Sequence, residues 1–294
     1  MSVSSYLRKL FGAGPKSNLP IADVDKRFEL LGRTGQGSMS KVYRARDRDT
    51  GRTICLKILD KEKTAKFEAR FVGMNRPLEG FISTALRHKN IVQTFEYGLT
   101  KKREQYLIME LIEGMGLNFL IATKSSDLNR KRVDVLTQLA DGLAYVHEQK
   151  YLHRDICPRN VMVTKEGQVK LIDFGLTIPY LPAYCKPGNR TGTPNYLAPE
   201  LIKRITTDHR VDLFALGVTA YETFTGEMPW EKTQSLATLQ SHLNSPGKDP
   251  REFVPDMIPE LAQILMKSID RTPSQRYQSA IAFRDALKAL PPMD

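Results

Sequence analysis

Asp155 and Asn160 lie five residues apart in Tyr151-Leu152-His153-Arg154-Asp155-Ile156-Cys157-Pro158-Arg159-Asn160, and Asp173 opens Asp173-Phe174-Gly175 thirteen residues after Asn160. One carboxylate able to take a proton from a hydroxyl, followed by two oxygen donors, suits base chemistry beside a hard cation. Each aspartate by itself reads equally well as a cap or turn residue. Their ordered conjunction is what points to a reaction centre. The same stretch holds a thiol, Cys157, and two cations, Arg154 and Arg159.

A second constellation precedes it. Gly32-Arg33-Thr34-Gly35-Gln36-Gly37-Ser38-Met39-Ser40-Lys41-Val42 has strand-like sequence on both sides. Glycine lets backbone N–H groups approach phosphate oxygens with no Cβ in the way. A ligand-free hairpin turn has the same pattern. With no helix following, the turn is neither a dinucleotide-binding Rossmann turn nor a Walker P-loop. Fifteen residues past Val42, Lys57 is a single cation in the apolar run Ile54-Cys55-Leu56-Lys57-Ile58-Leu59. Strand alternation puts Cys55 and Lys57 on one face, where a cation could hold phosphate oxygens. A lysine buried there needs a carboxylate. Glu79 is the first candidate and Glu68 the second.

Two kinds of scaffold have to position these groups. From Arg27 to Leu111, runs at Phe28–Leu31, Val42–Ala45, Thr53–Leu59, Ile91–Tyr97 and Tyr106–Leu111 predict five strands with one intervening helix. Beyond Gly114 the period changes. Val133, Leu136, Leu139, Leu143 and Val146 recur at helical steps, and Val211–Phe224, Ile258–Ser268 and Gln278–Leu290 predict later helices. A β-rich N-lobe (27–111), a hinge at 110–116 and a helical C-lobe (117–290) would leave a cleft between lobes. Residues 1–26, with Gly12, Gly14, Pro15 and Pro20 and no acid before Asp23, read as a basic, flexible leader.

Composition narrows the classes. The 294 residues are 41% hydrophobic and 26% charged, which suits a globular protein with a core large enough to split into lobes. Lys and Arg number 44 against 33 Asp and Glu, a net charge of +11. The positives are scattered and no nucleic-acid motif appears, so a specific nucleic-acid partner is not expected. A solvated basic surface or a preference for acidic substrates accounts for the charge. Three distant cysteines, Cys55, Cys157 and Cys185, fit neither a disulfide framework nor a four-ligand zinc site and suit a reducing cytoplasm. Val211–Phe224, the longest apolar stretch, is too short for a transmembrane segment.

Together these motifs resemble the protein kinase family over about residues 27–290. The resemblance implies an α+β, two-lobed protein-kinase-like fold, with a small antiparallel-sheet N-lobe carrying one helix and a larger, mainly helical C-lobe. It implies ATP and Mg2+ as cofactors, with catalysis by positioning and charge neutralisation. In this likeness Gly35, Gly37 and Val42 form the glycine-rich loop, although Ser40 stands where a third glycine is usual. Lys57 holds phosphates and Glu79 is its helix partner. Val42, Cys55 and Met162 sandwich the purine, Met109 is the gatekeeper, and the backbone at Glu110 and Ile112 pairs with adenine. Asp155 is the catalytic base, Asn160 binds metal, and Asp173 bridges Mg2+ to the phosphates. Glu200 should pair with Arg276, and Asp212 should hold the catalytic loop.

Gly192-Thr193-Pro194-Asn195-Tyr196-Leu197-Ala198-Pro199-Glu200 looks like the substrate-positioning segment of serine/threonine kinases, and Asp270–Ala280 like their bacterial branch. The implied activity is phosphoryl transfer to Ser/Thr hydroxyls of protein substrates in bacterial signalling, with autophosphorylation included. One departure stands out. Cys157 occupies the place of a lysine that stabilises the transferring group, and Arg159 lies where many tyrosine kinases put an arginine to the same end. The rival reading is a pseudokinase scaffold that binds nucleotide without efficient catalysis. The presence of Lys57, Asp155, Asn160 and Asp173 weighs against it. Asn189 stands at the family's usual activation-segment phosphosite, leaving Thr191, Thr177 and Tyr184 as alternatives, and activation without phosphorylation at the usual position is expected.

Overall fold

Short runs of alternating burial assemble the first hundred or so residues into one sheet. The computed structural model of the chain describes residues 19–37, 39–74, 76–188, 190–231 and 243–291. It divides into two units, Met1–His88 with Val92–Glu113, and Lys89–Ile91 with Gly114–Asp294.

In the first unit the strands are β1 (Ile21–Ala22), β2 (Phe28–Gly37), β3 (Ser40–Asp47), β4 (Thr53–Leu59), β5 (Thr94–Thr100) and β6 (Gln105–Met109). They pair in the order β1-β5-β6-β4-β3-β2, antiparallel except for β1, which runs parallel to β5. One face packs Phe28, Ala45, Ile54, Leu56, Tyr106 and Ile108 into a core. Alternation turns Cys55 and Lys57 of β4 to the other face. Of the expected leader, residues 1–18 lie outside the described residues. Ile21 and Ala22 already belong to the sheet, paired with Leu99 and Thr100. The helix α1 (Val24–Arg27) follows, capped by Asp23. Its Arg27 binds Asp47 through Nε and Nη2, each at 3.1 Å, and Glu96 through Nη1 at 2.8 Å.

Between β4 and β5 stand two helices, α2 (Lys61–Glu68) and α3 (Glu79–Ala85), where the sequence reading has one. The first shows no apolar stripe because it buries only Thr64 and Phe67. Its Asp60 cap, accepting from Lys63 N at 2.9 Å, starts it instead. The strand expected from Ile91 begins at Thr94. Ile91 belongs to the second unit, where it forms an isolated bridge with Leu171.

The second unit is mainly helical. It contains β7 (Gly114–Gly116), α4 (Leu117–Ala122), α5 (Ser126–Glu148), β8 (Tyr151–Leu152), β9 (Val161–Thr164), β10 (Val169–Leu171), β11 (Ile178–Pro179), α6 (Pro199–Ile202), α7 (Arg210–Thr225), α8 (Pro259–Ser268) and α9 (Ala280–Lys288). The apolar stripe of α5 buries Leu136, Leu139, Leu143 and Val146, as its spacing predicts, while Val133 at its start is half-buried. Helix α7 is apolar nearly all round and correspondingly buried from Val211 to Ala220. It stops at Gly226, whose left-handed backbone (φ 75°) sends its N–H to Glu222 O at 2.8 Å. Among the described residues no helix is long and apolar enough to cross a membrane.

Candidate active site

In the first unit, register gathers the expected ligand-side residues on one sheet face. Gly35 lies opposite Val42 and Gly37 opposite Ser40, so the glycine-rich stretch forms the end of β2 in the β2–β3 hairpin. Val42 in turn faces Lys57, and Cys55 faces Met109. Directly opposed residues share a face, which places Gly35, Val42, Cys55, Lys57 and Met109 on the same side. Against that side packs α3, and Lys57 Nζ reaches Glu79 Oε1 at 2.6 Å, with both side chains buried. The choice between Glu79 and Glu68 is thereby settled, since Glu68 accepts from Gln105 Nε2 at 3.2 Å. The helix can come this close because Gly80 has no Cβ, an atom that would sit 2.4 Å from the Tyr97 ring. Burial pushes the Cys55 thiol up to about 11. Just beyond β6, Glu110 N–H donates to Gln93 O at 2.9 Å, and the Glu110 carboxylate accepts from Gln93 N at 2.7 Å. Ile112 follows, half-buried.

In the second unit, β8 pairs with β11, Leu152 opposite Ile178. This pairing brings the loop after β8 beside the Asp173-Phe174-Gly175 turn that precedes β11. The rings of His153 and Phe174 meet edge-on at 5.0 Å. Ile172 N–H donates to Asn160 O at 2.9 Å, which brings Asn160 alongside the residue preceding Asp173. Asn160 Nδ2 donates to the Asp155 carbonyl and to Asp155 Oδ2, each at 2.8 Å. With both amide hydrogens so used, its carbonyl oxygen is the group Asn160 can offer a cation. Met162, on β9, lies opposite Lys170. Arg154 and Asp173 hold left-handed backbones, φ 71° and 64°. Such strain persists where surrounding contacts over-determine it.

At Arg154 those contacts come largely from Asp212 on α7, and at Asp173 the carboxylate accepts from Gly175 N at 3.1 Å. The Asp212 carboxylate accepts from His153 N and Arg154 N, each at 2.8 Å, and meets His147 Nε2 at 2.9 Å. Burial opposes its ionisation, but the His147 hydrogen bond and the neighbouring positive charge outweigh it and hold the carboxyl below its ordinary value. Sequence reasoning anticipated Asp212 and missed His147, which sits within the helical stripe of α5. Burial lowers the His153 pKa despite the nearby aspartates. The expected Glu200–Arg276 pair is present and buried, at 2.7 and 2.9 Å.

The segment leading to Glu200 closes on the same loop. Thr193 donates to Asp155 Oδ1 through its N–H at 2.9 Å and its hydroxyl at 2.7 Å. Gly192 permits the approach with a φ of 133°, and a Cβ there would lie 2.7 Å from Arg154 O. Cys157 is buried, its Sγ 3.9 Å from Thr193 Oγ1. Burial first, and the Asp155 charge second, push its thiol up to about 11. Arg159 is exposed and near enough for its charge to oppose that rise. Of the alternative phosphosites, Thr177, Tyr184 and Thr191 are all buried, and Thr191 Oγ1 accepts from Arg154 Nη2 at 3.2 Å. Asn189 lies outside the described residues.

Residues 28–288 match the protein kinase domain, and the chain belongs to that family. It is 30% identical to serine/threonine-protein kinase PknB of Mycolicibacterium smegmatis over 273 residues, covering 89% of this chain and 42% of that protein. Serine/threonine-protein kinase PknL of Mycobacterium tuberculosis is 30% identical over 279 residues, covering 95% of this chain and 69% of PknL. PknA of the same species is 29% identical over 270 residues, 90% of this chain and 61% of PknA. The chain thus spans about two fifths of the length of PknB.

Proposed function

We propose that the chain transfers the γ-phosphoryl group of ATP to Ser or Thr hydroxyls of bacterial proteins, its own segments included, from a cytoplasmic domain whose three cysteines are free thiols. The observation that carries this reading is the double donation of Thr193 to Asp155. It ties the segment that would present a peptide to the carboxylate that would receive the hydroxyl proton. With Oδ1 taken by Thr193, Oδ2 carries one hydrogen bond from Asn160 and keeps a lone pair for an incoming hydroxyl.

Mg2+ is a hard cation that takes few protein carboxylates and completes its shell with phosphate oxygens and water. The Asn160 carbonyl and the Asp173 carboxylate fit that demand. Bound Mg–ATP supplies the phosphoryl group and neutralises its developing charge. Lys57, steadied by Glu79, holds phosphate oxygens. The hairpin glycines Gly35 and Gly37 offer backbone N–H groups. Val42, Cys55, Met109 and Met162 contact the base, and Glu110 and Ile112 pair with it through their backbone. Arg159 takes the charge-stabilising part that Cys157 cannot.

Radiolabelled ATP transfer to the protein itself and to generic acceptors, followed by phosphoamino-acid analysis, tests the reading. Phosphoserine and phosphothreonine are expected. Phosphotyrosine as the main product, or no acid-stable label, would reject it.

A further inference from the structure

Between Phe174 and Thr207 the sequence holds four cations, Lys186, Arg190, Lys203 and Arg204, and a single acid, Glu200. That acid is spent internally, buried against Arg276. The next acid along the chain, Asp208, is engaged by Arg210 at 2.7 Å. Backbone hydrogen bonds bring two parts of the segment together. Thr207 N–H donates to Cys185 O at 3.0 Å, and Gly188 N–H donates to Arg204 O at 3.2 Å. The stretch carrying Lys186 therefore lies beside Lys203 and Arg204. All three side chains are exposed, and among the described residues none of the three forms an ion pair. Cys185, next to Lys186, is close enough to the Arg154 guanidinium to feel its charge, and Arg154 adjoins Asp155. The patch thus belongs to the segment that closes on the loop of Asp155, through Thr191 on Arg154 and Thr193 on Asp155.

Folded surfaces ordinarily intersperse the two signs, because like charges held together repel. A one-signed cluster beside a reaction centre raises the local concentration of anionic ligands and lowers that of cationic ones. We propose that Lys186, Lys203 and Arg204 receive anionic side chains, carboxylate or phosphate, from the protein segment that carries the accepting hydroxyl. The proposal rests on the phosphoryl-transfer reading and narrows it to substrates acidic or already phosphorylated near the acceptor. Discrimination comes from the ground-state encounter, so it acts on KM and weakens with salt.

The test compares four peptides with one Ser/Thr acceptor, flanked by Asp/Glu, by phosphoserine, by Gln, or by Lys/Arg. Wild-type protein should show a KM about tenfold lower for the anionic peptides than for the Gln peptide, a size expected from a few exposed ion pairs. In K186Q/K203Q/R204Q that preference should collapse through KM, whereas K61Q/K66Q/K288Q, which removes the same charge elsewhere, should keep it. Preference for phosphoserine alone assigns the anion to phosphate, and preference for both assigns it to negative charge in general. Equal KM for anionic and Gln peptides, or a preference that survives in K186Q/K203Q/R204Q, overturns the proposal. If no peptide is phosphorylated, the phosphoryl-transfer reading fails on its own. Fluorescence anisotropy of a labelled Asp/Glu peptide then decides the patch: binding lost in K186Q/K203Q/R204Q and at high salt upholds it, and binding retained rejects it.

Discussion

Thr193 places two donors, its N–H and its hydroxyl, on the same oxygen of Asp155. A carboxylate restrained twice through one oxygen has its other oxygen aimed. Thr193→Val removes the hydroxyl while keeping shape and the N–H donor. Because one hydrogen bond to a charged group contributes about 1.5–3 kcal/mol, single-turnover phosphorylation should slow by roughly 10- to 100-fold. Thr193→Ser should restore most of the rate. Equal rates for the three proteins would detach Thr193 from the chemistry.

The buried Lys57–Glu79 pair allows a double-mutant cycle. Lys57→Met abandons a carboxylate in the interior, and Glu79→Leu abandons an ammonium. Each should cost about 3–5 kcal/mol in urea unfolding, since breaking a buried pair strands a charge. The double variant should lose much less than the sum of the two. All three should transfer little phosphate. Additive losses would show that the two side chains do not depend on one another.

Asp212 makes stability depend on acid. Its carboxyl is held below the ordinary value of 3.8, so in the unfolded chain it binds protons at a higher pH than in the folded one. Its contribution is therefore complete above that value and fades as pH falls through the folded pKa. Urea midpoints measured between neutral pH and the acid limit should drop for wild type over that window. Asp212→Asn should begin less stable and show a shallower acid slope. Parallel slopes for the two proteins would contradict the assignment.

Cys157 and Arg159 form the pair whose chemistry departs most from the family pattern. Cys157→Lys should accelerate single-turnover transfer, because Asp155 supplies a counter-charge. Arg159→Ala should slow it on the order of 10²-fold, the usual loss for one charge-stabilising donor. The double variant should recover much of that loss. With its thiol near 11 and buried, wild-type Cys157 should alkylate slowly at neutral pH until the protein unfolds. Unchanged rates in both single variants would end the compensation idea.

The residues legible in the sequence are those whose relative placement is set over a few residues. Asp155 and Asn160 share one loop, and alternation along β4 alone puts Cys55 and Lys57 on a common face. The partner of Lys57 was legible only as two glutamates, because the alternatives depend on where a helix breaks. Between them the chain passes through a turn at Ala69–Phe71 that leaves Glu68 beside Gln105. Longer-range contacts such as Glu200 with Arg276 and Asp212 with the loop of Asp155 were legible only through the family resemblance, and others were hidden. Nothing local marks Ile21 and Ala22 as a strand, since their stability as one comes from pairing with Leu99 and Thr100. Burial of the activation-segment hydroxyls was hidden for the same reason, as it depends on Arg154 and His153 reaching Thr191 and Thr177.

Arg27 has a consequence for anyone dividing this chain into expressible pieces. The matched family region begins at residue 28, one position after the guanidinium that joins Asp47 to Glu96. A fragment started at Phe28 would leave those two carboxylates near each other without their shared cation, with Tyr106 still donating to Glu96. It would also strip β1 from β5 and expose that edge to other strands. A cloning boundary at or before Pro20, whose carbonyl accepts from Leu99 N at 2.9 Å, keeps the edge covered and the guanidinium in place.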